Sequence, residues 1–311
     1  VNGGRKPQRN SLVLSNGVSP LVPGAAIRAT APRRSVVLGG SGRRADRLTI
    51  AGDGVDIEIE LAVGGRALVA GVVQTALSVG GESLDTRGDW QTVCRHADDD
   101  GDYLELQLCL SEAVRIDRQV LVSRREQFAF LADAVVVKQN GPVVPQAGTI
   151  EHRLGLLPAD RIMLKFDATT REARLQTKGC TARVFPLALP QDRVRSTAGN
   201  FCEQGGRLTL TQVGAGRGLF APLMFDWHPH RRRAKAEWRS LTVTESGKVV
   251  APECASAHRL RLGKRHVLVY RSLAATDEAR ALLGHHTRYE TVVGTFETSG
   301  NVAPIVMVEL E

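Results

Sequence analysis

Apolar and polar residues alternate along most of this chain. In VDIEIELAV, Val55, Ile57, Ile59, Leu61 and Val63 fall on one side of an extended backbone, and Asp56, Glu58 and Glu60 fall on the other. Successive side chains of a strand point to opposite faces, so the segment predicts a half-buried antiparallel strand. YLELQLCL repeats the device with Leu104, Leu106, Leu108 and Leu110 inward. VRIDRQVLV follows, and then QFAFLADAVVV, which is apolar on both faces and predicts a more central strand. The rhythm continues through TIEHRLGLL, RIMLKF, TARVFPLAL, RLTLTQV, GLFAPLMF, SLTVTE, HRLRLG and HVLVYRSL to ETVVGTFE and PIVMVELE. Turn signals separate these runs: DDDGD, QNGP, PAD, QGG, GAGRG, ESGK, LGKR and TSGN. Many short strands at this spacing predict an all-β protein, a large antiparallel two-layer β-sandwich with few or no helices. No fixed-period repeat is present, which argues against a propeller or solenoid.

Three stretches break the rhythm. Residues 1–46 are rich in Gly, Pro, Arg and Ser, with only short apolar patches such as VVLGG. They read as an irregular arm that either stays apart or docks as an edge segment, and residues 47–311 read as a single sandwich domain. TDEARALLG has Thr276 in N-cap position, acids in its first turn and Gly284 as a stop, so it predicts a short helix between strands. After Trp238 the next apolar positions are Leu241 and Val243, a change of parity that predicts a β-bulge.

With 311 residues, of which 42% are hydrophobic, the chain is able to fill a substantial core. Aromatics are only 5%, so aliphatic side chains must do most of the packing. The net charge of +8 favours anionic partners without selecting among them, and it lies within the range that keeps a protein soluble. The five cysteines, Cys94, Cys109, Cys180, Cys202 and Cys254, are dispersed and form no CxxC pair. That argues against a disulfide framework or a thiolate zinc site and leans towards a reducing compartment. No apolar run reaches bilayer-spanning length, and the first residues lack the apolar centre of a signal peptide. Neither a membrane nor a nucleic-acid partner is expected: no recognition helix, ribonucleoprotein motif or zinc-finger spacing occurs.

Candidate chemistry is sparse. HADDDGDYLEL resembles a calcium loop at Asp98, Asp100 and Gly101, but His96 and Gln107 would occupy its first and twelfth positions. A hairpin turn is the preferred reading. GAGRG lies between strands and lacks the following helix that a phosphate cradle needs. No GxSxG elbow or nucleophile triad is evident, and His285 and His286, being adjacent, would face opposite ways on a strand.

FDWHPHRRRAKAEWRSLTVTE carries two histidines, His228 and His230, which on a strand would share a face as two metal ligands with Asp226 as the nearby third, and a basic run follows them. Arg231, Arg232, Arg233 and Lys235 would repel a cation and suit a carboxylate, sulfate or phosphate. The same run also reads as a solvated loop between two strands, the second anchored by Trp238.

One stretch, IDRQVLVSRREQFAFLADAVV to GTIEHRLGLLP, is more specific. Asp133, if buried, needs a partner, and Arg118 on the neighbouring strand is the natural one; the pair would staple two strands. His152 shares a strand face with Leu154 and Leu156, so it is at least partly buried and reads first as a hydrogen-bonded core residue. With Arg118, Asp133, His152 and Pro158 at matching positions, the stretch resembles the β-sandwich module of heparinase II/III-type polysaccharide lyases. The resemblance implies an acidic-glycan substrate, proton abstraction beside a uronate with histidine and tyrosine as acid and base, and in some members a structural zinc. It places His152 as the catalytic candidate, with Tyr103, Tyr270 or Tyr289 as the tyrosine, and Asp133 as a zinc ligand. No cofactor is otherwise expected. Three functions follow: a non-catalytic carbohydrate-associated or assembly module with an anionic glycan as partner, an active lyase or a fragment of one, or a structural protein that self-assembles into a homo-oligomer through strand edges.

Overall fold

The computed structural model describes residues 34–52, 56–138 and 148–309. Residues 1–33 of the expected arm, Val55, the QNGP turn and the last two residues lie outside them. The described chain is an all-β sandwich of antiparallel sheets. Strands β1 (Arg34–Gly39), β2 (Arg47–Gly52), β3 (Ile57–Val63) and β4 (Arg66–Val72) form an N-terminal meander. VVLGG thus lies on an edge strand and its following turn, and Leu38 is buried.

β5 (Gln74–Val79) and the short β6 (Glu82–Leu84) belong to a second, flanking sheet. They are joined there by β11 (Thr149–Leu156), β15 (Gly199–Gln204) and β16 (Arg207–Ala215) in the order β15-β16-β11-β5-β6. The central sheet has eight strands. It contains β7 (Gln91–Ala97), β8 (Gly101–Cys109), β9 (Val114–Ser123) and β10 (Phe128–Val137). β12 (Met163–Phe166), β13 (Ala173–Thr177), β14 (Cys180–Pro186) and β17 (Gly218–Asp226) complete it, in the order β12-β13-β14-β17-β10-β9-β8-β7.

A C-terminal sheet contains β18 (Ala236–Leu241), β21 (Ala255–Leu262), β22 (Arg265–Ser272), β25 (Tyr289–Phe296) and β26 (Val302–Glu309). Four short strands, β19 (Thr244–Glu245), β20 (Lys248–Val249), β23 (Arg280–Leu282) and β24 (His285–Thr287), make a small sheet.

Alternation along the central strands decides what each face meets. Val120, Val122, Leu131 and Leu223 share one core with the N-terminal and flanking sheets, through residues such as Ile59, Leu154 and Leu208. Leu121, Phe130 and Met224 share another with the C-terminal sheet, through Trp238, Leu260, Val269 and Val293. The central sheet is therefore covered on both faces, and the expected two-layer packing occurs on each side of it. This explains why β10, apolar on both faces, is buried along nearly its whole length.

Two sequence expectations need correction. Thr276–Gly284 forms no helix, and no α-helix occurs among the described residues. The Thr276 hydroxyl does accept from the backbone of Glu278, but the chain then extends into β23. There Arg280 is drawn inward by Glu245 (2.8 Å), the Ser272 hydroxyl (2.7 Å) and the Cys254 carbonyl (3.0 Å). Gly284, at φ +81°, turns a hairpin rather than ending a helix. No bulge occurs at Trp238 either, since β18 pairs with β21 in unbroken register from Ala236↔Leu262 to Leu241↔Ala257. Parity changes because the strand ends at Leu241 and Val243 is buried in a different cluster, near the small sheet.

Candidate functional site

The strand pattern brings Arg118, Asp133 and His152 together. Arg118 and Asp133 are register partners on β9 and β10, on the face that meets the flanking sheet. All three residues are fully buried. Arg118 grips the carboxylate with a fork, Nε to Oδ1 at 2.7 Å and Nη2 to Oδ2 at 2.8 Å. His152 comes from β11 across the interface, its Nε2 2.9 Å from Asp133 Oδ2 but off the line of a good hydrogen bond. Its Nδ1 has no hydrogen-bond partner among the described residues. Burial alone would raise the Asp133 carboxyl, yet the Arg118 charge and hydrogen bonds, with the His152 ring, outweigh it and hold Asp133 far below the usual carboxylate range. The cluster staples the central sheet to the flanking one.

Zinc does not fit here. The guanidinium already occupies both Asp133 oxygens, His152 is the other ligand-type side chain on them, and a resident cation repels a second. No group of three or more His, Cys, Asp or Glu residues able to hold a metal ion is present among the described residues.

Arg118 reaches beyond the cluster. Nη2 also donates to the Thr75 hydroxyl at 2.8 Å, and the guanidinium lies over the Trp90 ring, 4.5 Å from its centroid. Thr75 and Trp90 belong to the wall of a cleft of about 600 Å³. It exists because β6 is only three residues long and pairs with β5 at Leu77–Val79 alone. The edge of β5 at Gln74–Ala76 is therefore uncovered by strand pairing, and the inter-sheet space opens there. Arg118 forms part of the floor. Arg87 comes from the loop after β6, Arg153 from the outer face of β11 and Arg207 from the start of β16. Gly155 keeps room open between Gln74 and Arg207, both of which a Cβ there would press. Asp56 is the lone carboxylate lining the cleft among the described residues. The arrangement presents the guanidinium groups of Arg87, Arg153 and Arg207 beside a half-buried aromatic ring, with the Asp133-paired Arg118 beneath it.

The expected acid–base groups lie elsewhere. His152 is sealed in the interface, and neither it nor any tyrosine lines the cleft among the described residues. Tyr103 is buried towards the C-terminal sheet, its hydroxyl donating to Glu105 at 2.8 Å. Burial, then the Glu105 charge, pushes that phenol well above its ordinary value. Tyr270 is also buried and its phenol is raised, chiefly by burial. Tyr289 is half-buried in the C-terminal sheet.

The basic run after β17 separates into parts. Arg231 is buried, with Nε at 2.8 Å and Nη2 at 2.6 Å from Asp226 Oδ1, and it also meets Glu126. Arg183 clamps the same loop through the carbonyls of Arg231 and Ala234, both at 2.8 Å. Arg231 is thus committed to internal pairing, while Arg232, Arg233 and Lys235 stay exposed as surface cations. His228 and His230 flank Pro229 in a single 3-10 turn, their rings 5.5 Å apart. Trp238 anchors β18 through Nε1 to the Leu189 carbonyl (3.0 Å) and edge packing on Phe185. The Asp98 loop is a hairpin turn between β7 and β8, with the carboxylate accepting from the backbone of Asp100 and Gly101. All five cysteines are free thiols. Among the described residues no helix is long and apolar enough to cross a membrane.

No family model matches the chain, and no curated protein matches it. Solved structures do. The fold is similar to a mutant of the heparan sulfate lyase HepC from Pedobacter heparinus, with 10% identity, 75% of this chain and 40% of that chain covered, and a TM-score of 0.48. It is likewise similar to heparinase III, with 10% identity, 77% of this chain and 41% of that chain covered, and a TM-score of 0.48. The chain therefore spans about 40% of the length of these neighbours.

Proposed function

We propose that this chain is a non-catalytic β-sandwich module that binds an acidic glycan in the cleft beside Arg118. One observation carries the reading: Arg87, Arg153 and Arg207 line a cleft that holds Trp90 and a single carboxylate, over a floor that includes the Asp133-paired Arg118. Guanidinium forks match sugar carboxylates and sulfates, and an aromatic ring offers an apolar face to a pyranose. The same cleft is lined by no tyrosine or histidine among the described residues, so it is equipped for charge recognition rather than proton abstraction.

One neighbour is by name a heparan sulfate lyase, and heparan sulfate is accordingly the first probe. Calorimetric titration is expected to show binding that weakens as salt rises. Arg153→Gln and Arg207→Gln each lower affinity roughly tenfold, the loss of a charge-assisted hydrogen bond. Trp90→Ala lowers it as well. Absorbance of an unsaturated uronate, followed in the same mixtures, stays flat. Unsaturated product from the wild-type chain would replace this reading with the lyase one, and binding indifferent to all three substitutions would remove the cleft from it.

A further inference from the structure

Six arginines are buried among the described residues, namely Arg118, Arg171, Arg183, Arg231, Arg271 and Arg280. Five of them sit on a carboxylate: Arg118 on Asp133, Arg183 on Glu172, Arg231 on Asp226, Arg271 on Glu105 and Arg280 on Glu245. Arg171 is the exception. Its guanidinium donates to the carbonyls of Pro190, Asp192 and Val194, and no carboxylate lies within ion-pair range of it among the described residues. Burial lowers the pKa of this group and the Arg193 charge lowers it further, while the Asp192 carboxylate, outside ion-pair range, partly opposes them. A buried cation is costly unless an anion offsets it.

The surroundings supply the place for that anion. A cavity of about 270 Å³ is lined by Arg171, Arg193, Arg195, Ser196, Asn200 and Phe201, among others. The loop carrying the exposed arginines is fixed by backbone pairing, Arg171 N to Gln191 O at 2.8 Å and Arg193 N to Thr169 O at 3.0 Å, as well as by the Arg171 guanidinium. Arg193 is oriented by Nε to the Thr170 carbonyl (2.7 Å) and by the Phe166 ring, 5.3 Å from its centroid. Its terminal nitrogens have no partner among the described residues. Arg195 has none at all among them, and the Ser196 hydroxyl and the Asn200 amide add neutral donors.

We propose that this cavity, at the edge where β15 meets the loop after β14, binds a tetrahedral oxyanion, the sulfate or phosphate group of a monoester. Three guanidinium groups converge with hydroxyl and amide donors, and Asp192 is the near carboxylate that the site must tolerate. The site is separate from the Trp90 cleft and rests on different residues.

Thermal unfolding in potassium sulfate against potassium chloride at matched ionic strength provides the first test. Sulfate stabilises most proteins by exclusion from their surface, so the comparison that matters is with Arg193→Gln/Arg195→Gln, which keeps Arg171 and the loop's backbone pairing. The wild-type chain is expected to gain more in sulfate than the double variant, each measured against its own melting in chloride, because the variant also loses the Arg193 contacts to Thr170 and Phe166. Titration with glucosamine 6-sulfate and with glucose 6-phosphate then identifies the ester, and the double variant binds the preferred one at least tenfold more weakly. An equal sulfate effect in both proteins, or no heat with either ester, overturns the proposal. Trp90→Ala, which damages the cleft, leaves these results unchanged.

Discussion

At the scale of single residues, two buried titratable groups make the stability of the fold depend on pH in ways that can be separated. Asp133 is held ionised by Arg118, so Asp133→Asn leaves a fully buried guanidinium without its counter-ion. Breaking a buried pair from one side costs about 3–5 kcal/mol, and urea unfolding at neutral pH is expected to show a loss of that order. His152→Gln is expected to cost less, because the Arg118 fork survives it. His258 works in the opposite chemical sense. Its ring lies between Ser240 and Ser256 and stacks on Phe220, and burial pulls its pKa down from 6.5 to about 3. Above about pH 6.5 the ring is neutral folded and unfolded alike. Between that value and about 3 the unfolded chain takes up a proton that the folded one refuses, so stability falls as pH falls. The full loss is on the order of a few kcal/mol. His258→Gln is expected to flatten the slope of unfolding free energy between pH 7 and about 4.5, and an unchanged slope would assign it to other groups.

At the scale of elements, the period-two pattern was enough to place most strands, because every long strand has at least one buried face. It gave the Arg118–Asp133 pairing as well, since both residues interrupt apolar runs on neighbouring strands. It misplaced Thr276–Gly284 because its Thr cap and Gly stop serve a turn and a hairpin equally well, and because the pull on Arg280 comes from Glu245 and Ser272, distant in sequence. The cleft was invisible for a similar reason. Arg87, Arg118, Arg153 and Arg207 belong to four separate segments, and only the shortness of β6 exposes the space between them. The alternation of TIEHRLGLL did hold a clue, for it puts Arg153 and Gly155 on the face opposite His152. A prediction at this scale concerns Gly199, which opens β15 at φ +129°. A Cβ there would lie 2.0 Å from the Thr211 carbonyl oxygen of β16, a backbone atom that cannot swing away. Gly199→Ala is expected to detach β15 first, so amide exchange across 199–204 accelerates while β10 stays protected.

At the scale of the whole molecule, β9 serves both interfaces of the central sheet with adjacent residues. Arg118 points to the flanking sheet and its neighbour Asp117 to the C-terminal sheet. On that second side Arg271 of β22 is fully buried, its Nη2 2.9 Å from Glu105, 3.0 Å from Asp117 and 3.0 Å from Glu290. Charge from the three carboxylates holds this guanidinium protonated more firmly than usual, against the opposing effect of burial. Arg115 also reaches Asp117, at 3.1 Å, and Arg271 and Gln119 share the hydroxyl of Thr291. The cluster is therefore a polar peg through the otherwise apolar core between Tyr103, Leu121 and Val269. Replacing Arg271 with Met keeps the bulk and removes the cation, crowding three carboxylates in a dry interface. The loss is expected to be about 3–5 kcal/mol at neutral pH. Carboxylates deprived of that cation have raised proton affinity, so they protonate as pH falls and the repulsion fades. The gap between wild-type and variant stability should therefore narrow from pH 7 towards pH 5, the reverse of what a simple packing defect would give. Arg271→Met combined with Glu105→Gln should recover part of the loss at neutral pH. If the gap is constant with pH and the second change recovers nothing, the peg joins the two sheets by shape rather than by charge.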